Sequence, residues 1–193
     1  VSANVDYNPW WTAPGGPGTS STGSGGELIF PAGSSTSSMQ AIVDCAAPNS
    51  TLLYESGSYP GGLIVNTNGL TFKLNTVSVG PGSPAFTINA DDVTILGPGV
   101  LNGGGSTDPA ILVNGGADNF MLQNAQITGW ANAVKLAGSV NSFKLISNWI
   151  HSNSSHGLWV DSGATLGGVV TIQGNLFKVN AGNGVQNDGL FPF

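Results

Sequence analysis

The chain has 193 residues, 40% of them hydrophobic, which suits one domain with a sizeable core. Only 7% are charged, the net charge is −6, arginine is absent and the basic residues are Lys73, Lys135, Lys144 and Lys178, so the clustered cations that grip phosphate or nucleic acid are missing. Cys45 is the single cysteine, which excludes an internal disulfide, and no apolar run approaches the ~20 residues of a membrane-spanning helix.

In chain order, residues 1–18 read as an extended arm in which Val1, Val5, Tyr7, Trp10 and Trp11 concentrate apolar surface. Residues 19–26 read as a Gly/Ser linker and 27–193 as the folded domain. A helix is predicted over Ser38–Ala47, with Ser37 or Ser38 as N-cap and Pro48 closing it. Its apolar face is expected to bury Cys45.

From there the chain repeats itself. One series of short alternating segments reads AFTINA, AILVNG, AVKLAG, GLWVDS and GVQNDG, and its equivalent positions Phe86, Ile111, Val134, Leu158 and Val185 are 25, 23, 24 and 27 residues apart. A second series, VTILG, FMLQN, FKLIS and VTIQG, starts at Val93, Phe120, Phe143 and Val170. A third, GVLNG, NAQIT, NWIHS and NLFKV, starts at Gly99, Asn124, Asn148 and Asn175. Three short strands per ~24-residue turn, separated by Gly, Asn, Asp and Ser corners, predict a coil stacked on copies of itself. One face of each strand then lines a common apolar interior.

The chain here resembles the right-handed parallel β-helix proteins of the pectin-lyase-like group, of the bacterial and archaeal cell-surface type. The resemblance spans about residues 38 to 188, including a segment STLLYESGSYPGGLIVNTNGLTFKL that opens the ladder from Ser50. It implies an all-β solenoid with a short helix over its first coil. The fold carries lyases, hydrolases, adhesins and passive rods alike, so it leaves the function open.

Catalysis finds little support in the residues. Asp91 and Asp92 are adjacent, so alternation sends at most one toward any groove, and they read as corner residues that accept backbone hydrogen bonds. Ser155, His156 and Asp161 cluster in sequence but not on the strained nucleophile turn of a hydrolase. His151 and His156 lack a third ligand at useful spacing. The Asp/His set of the pectin hydrolases is absent, as is the arginine that the corresponding lyases use. No catalytic residue, cofactor or metal site is predicted. Trp130, Trp149 and Trp159 fall in successive repeats and offer either a stacking platform for cell-surface glycans or core packing. Asn49-Ser-Thr51 and Asn153-Ser-Ser155 match the glycosylation pattern, which chance also produces in so Asn- and Ser-rich a chain.

The arm is more informative. In bacterial proteins of the resembled type, the coil after a GV-x-N strand runs into a pattern like Val-Asp-x-x-x-Asn-Trp-Trp-Gly followed by Gly-Pro. Val5-Asp-Tyr-Asn-Pro-Trp-Trp-Thr-Ala-Pro-Gly-Gly-Pro17 is similar, with its Asn one place early and Thr12 for the Gly. The arm therefore reads as the continuation of Asn187-Asp188, displaced to the other end. About six coils from Ser50 onward, at ~4.8 Å each, separate the two ends by roughly 30 Å. Reaching a neighbour stacked end to end is shorter than running back along the rod.

Burying Val5, Tyr7, Trp10 and Trp11 removes ~600 Å² of apolar surface, about 15 kcal/mol at most. Ordering the arm costs about 11–20 kcal/mol. Strand hydrogen bonds and stacking must tip that balance. The expectation is a head-to-tail homopolymer, secreted with its signal already removed, whose interface comprises Val1, Val5, Tyr7, Trp10, Trp11, Val185, Leu190, Phe191 and Phe193. The alternatives are a polysaccharide-binding or polysaccharide-cleaving β-helix, or one repeat of a longer surface adhesin.

Overall fold

The computed structural model describes residues 25–189. Their backbone winds as a right-handed parallel β-helix in which each turn after the first contributes one strand to each of three sheets. The first sheet stacks Glu27–Phe30, Thr51–Tyr54, Thr71–Lys73, Thr94–Leu96, Met121–Gln123, Lys144–Ile146 and Thr171–Gln173. A second runs from Ser58–Tyr59 to Leu176–Lys178, and a third from Leu63–Val65 to Val185–Asn187. All neighbours pair in parallel. Six coils follow Ser50, as the repeat spacing predicts.

Register follows the first two sequence series residue for residue. Phe86 pairs with Ile111, Ile111 with Val134, Val134 with Leu158 and Leu158 with Val185. Thr94, Met121, Lys144 and Thr171 form an equivalent column in the first sheet. In the third series Gly99, Asn148 and Asn175 share one column as the spacing predicts, and only the Asn124 member is one place out. Trp149 stands opposite Gln126, so Asn148 aligns with Ala125 and Asn175, while Asn124 aligns with Ser147 and Gly174. Those three are the corner before the second sheet, at φ 57°, 54° and 67°, a left-handed conformation that Asn, Gly and short polar residues tolerate.

Alternation does the packing. In Phe86–Ile88, Leu158–Val160 and Leu63–Val65 the outer two residues are buried and the middle one faces outward. Aromatic rings fill the wide interior, with Phe72 edge-on to Phe86 at 5.3 Å and Phe120 stacked on Phe143 at 6.0 Å. Trp130 is wholly buried and its Nε1–H donates to Leu101 O at 3.0 Å. That assigns Trp130 to the core. A side chain on Gly103 would collide with its indole, which explains the glycine there.

The helix spans Thr36–Cys45, two residues earlier than expected, because Ser35 rather than Ser37 or Ser38 caps it: the Ser35 side chain accepts from Ser38 N–H at 3.2 Å. Met39 and Val43 are its buried residues. Cys45 is exposed, contrary to the expectation from the apolar face, because the buried face runs through Met39 and Val43 and the last turn rotates Cys45 away from it.

Candidate functional site: two unlike ends

Parallel sheets have edges only at the two ends of the coil. At the amino end the third sheet is sealed. Gln40 projects from the helix so that its Nε2 donates to Ile64 O at 2.8 Å while its Oε1 accepts from Ile64 N–H at 2.8 Å. One side-chain amide thus makes the pair of bonds that a further strand would make. Thr36 Oγ1 donates to Gly61 O at 2.9 Å beside it.

At the carboxyl end no described residue does this. Ile172 occupies the inward column of Leu145, yet it is 43% exposed where Leu145 is 0%. Val185 occupies the column of Leu158 and is 44% exposed against 1%. Val170 is also exposed, and Phe177 is only partly buried. These residues point into the same interior as their counterparts, but no described residue forms a coil above them. Val179, in the corner column of Ser152, is exposed and held at φ 54°, a conformation that β-branched residues resist.

Two columns of asparagine climb to this end. Asn148 Oδ1 accepts from Ala125 N–H at 3.0 Å and its Nδ2 donates to Leu122 O at 3.0 Å. Asn175 repeats the arrangement one coil later, accepting from Asn148 N–H at 2.9 Å and donating to Leu145 O at 2.8 Å. Beyond the next corner Asn153 Oδ1 accepts from Trp130 N–H, and Asn180 Oδ1 accepts from Asn153 N–H while its Nδ2 donates to Ile150 O. Each asparagine satisfies the backbone of the coil below it. Among the described residues Asn175 N–H has no acceptor.

Of the predicted interface residues, Val185 lies on this open face. Val1, Val5, Tyr7, Trp10, Trp11, Leu190, Phe191 and Phe193 lie outside the described residues. Sequence reasoning does not assign Val170, Ile172, Phe177, Asn175 or Gln40 to an interface. The first four were findable as members of the last repeat in columns already identified. Gln40 had no signal, because its partner is 24 residues away and fixed only by the helix docking.

The candidate chemistry groups are occupied otherwise. Asp91 Oδ1 accepts from Asp118 N–H at 2.9 Å and Asp92 Oδ1 from Asn119 Nδ2 at 3.0 Å, so both carboxylates serve the neighbouring coil. His156 Nδ1 accepts from Asn183 N–H at 3.0 Å. Among the described residues, no group of three or more His, Cys, Asp or Glu is placed to hold a metal ion.

Two outward tryptophans remain, on different sheets. Trp149 is 45% exposed and stacks on His151 with centroids 4.2 Å apart, and burial followed by the nearby Lys178 charge lowers the His151 pKa. Trp159 lies under the Lys135 ammonium at 4.1 Å and donates from Nε1 to Asp188 at 3.0 Å.

The class these features define is a parallel β-helix that, among the described residues, is sealed along one sheet edge at its amino end and uncovered at its carboxyl end. Comparison with protein-family models, with curated proteins and with solved structures finds no match to the chain.

Proposed function

We propose that this chain is a non-catalytic structural subunit of an extracellular filament, polymerising head to tail by end stacking and by donation of arm 1–18 to the open coil of its neighbour. The observation that carries the reading is the contrast between ends: apolar columns run out into solvent at Ile172 and Val185, while Gln40 seals the third sheet at the other end. Exposed inward-facing residues beside unpaired strand edges are what an added strand covers. Because the two joining surfaces differ, the contact does not close on itself and yields an open fibre. The sparse charge and Asn, Ser and Thr surface fit a secreted, cell-surface location.

The test is removal of Val1–Pro17 followed by electron microscopy. Full-length protein is expected to form fibres and the truncated protein to stay as single rods. Fibres from the truncated protein would refute strand donation.

A second reading, a polysaccharide-binding face, draws on the exposed Trp149 ring beside His151. Trp149→Ala should then abolish retention on a polysaccharide panel while leaving fibres intact. Absence of retention by the unaltered protein would remove this reading.

A further inference from the structure

The open end specifies what must be added to it. In three successive coils a ten-residue window runs through the first and second sheets: Phe120–Gly129, Phe143–Ser152 and Val170–Val179. Within the last two, the first, third and eighth places point inward and are apolar (Phe143, Leu145 and Ile150, then Val170, Ile172 and Phe177), while the sixth is the ladder asparagine, Asn148 or Asn175. Ala3–Thr12 fits the same frame without a gap. Ala3, Val5 and Trp10 take the inward places and Asn8 takes the ladder place.

Resting on the donation reading above, we propose that Ala3–Thr12 docks on the neighbouring subunit as the coil after Val170–Val179, with Asn8 in the column of Asn175. Asn8 Oδ1 then accepts from Asn175 N–H and Asn8 Nδ2 donates to Ile172 O, as each lower asparagine does for the coil beneath it. Asp6 stands opposite Gln173 and Trp11 opposite Lys178. The second asparagine column ends here, since Ala13 follows where Asn180 would be repeated.

A spacing in the donor chain agrees with this register. Asn4, in the Thr171 column, precedes Glu27 by 23 residues, the same interval that separates Thr71 from Thr94 and Met121 from Lys144. The arm is thus one coil ahead of the strand Glu27–Phe30, whose outer edge faces away from Thr51–Tyr54. Residues 4–6 form a strand shared between Thr171–Gln173 of one subunit and Glu27–Phe30 of the next, and the first sheet runs unbroken through the joint.

The register has two costs. Pro9 stands where Leu176 N–H donates to Asn148 O at 2.8 Å, so one ladder bond is forfeited. Tyr7 falls on the left-handed corner of Ser147 and Gly174. The competing alignment puts Asp6 opposite Thr171 and turns Tyr7 inward, and a cross-link separates the two.

In a Cys45→Ser background, Asp6→Cys is combined with Gln173→Cys or with Thr171→Cys. Parallel neighbours lie ~4.8 Å apart, within disulfide reach, whereas a shift of two residues adds ~6.6 Å along the strand and breaks it. Expected is a ladder of covalent multimers on a non-reducing gel for the Gln173→Cys pair and at least tenfold less for the Thr171→Cys pair. The axial repeat of the fibre should be about 38 Å, from seven first-sheet strands plus the arm at ~4.8 Å per layer.

Multimers from the Thr171→Cys pair, or from neither pair while fibres form, overturn the register but leave donation standing. A repeat of about 34 Å means coils stacked directly with the arm elsewhere, and overturns both the register and donation of the arm to the open coil. A Gln173→Cys pair that yields only a faster-migrating monomer overturns the joint between molecules. Fibres from the truncated protein remove donation itself.

Discussion

Tyr54 places a hydroxyl in the core with no hydrogen-bond partner among the described residues, between Phe30 at 4.7 Å and Tyr59 at 4.9 Å. An unsatisfied buried polar group costs about 1–3 kcal/mol. Tyr54→Phe should therefore stabilise the subunit by about 1 kcal/mol or more in urea unfolding of the arm-deleted protein. Burial, followed by the neighbouring Tyr59, holds the Tyr54 pKa well above its ordinary value. The folded state thus favours the neutral phenol; that stability is present below about pH 10 and is lost as the pH rises beyond it. Tyr54→Phe should flatten this alkaline fall. Asn148 is the opposite case, a buried amide with every group used. Asn148→Ala strands Ala125 N–H and removes a second donor from Leu122 O, and the same unfolding measurement should register a loss of about 2–3 kcal/mol.

Among the elements, the helix acts as a false strand. Gln40 supplies the donor and acceptor that the Leu63–Val65 edge would otherwise expose. Gln40→Ala should cost only about 1 kcal/mol, because Ile64 is partly wetted. Its larger expected effect is irregular association through the uncovered edge, read by light scattering of the arm-deleted protein. How legible each element was depended on what fixes it. Strand register was readable because burying one face in a common interior forces the apolar columns to align, and Phe86 through Val185 show it in bare spacing. One member of the third series slipped by one because Asn recurs for two reasons: Asn124 at a left-handed corner and Asn148 as a buried ladder rung. Helix bounds and the exposure of Cys45 failed because several serines compete for the cap, and the tertiary docking decides which side is buried. Among the tryptophans, only the packed structure separates buried Trp130 from outward Trp149.

For the whole molecule, the two ends make a rod with direction. A residue in the same inward column meets different surroundings depending on its coil, and this separates folding from assembly. Leu145 is fully enclosed, so Leu145→Asp buries an unpaired carboxylate and should leave the chain unfolded. Ile172 sits directly above it but is 43% exposed in the single subunit. Ile172→Asp can hydrate its carboxylate there, and the isolated rod should keep its circular dichroism spectrum and lose no more than about 1 kcal/mol. Covering that face with the next coil would bury the charge, so fibres should fail to form or dissociate at neutral pH. Acidification below the carboxylate range should restore them in part, because the neutral acid is far cheaper to bury. Fibres of unchanged abundance from Ile172→Asp at pH 7 would mean that the exposed face plays no part in joining subunits, and the joint would have to be sought on the flanks of the rod.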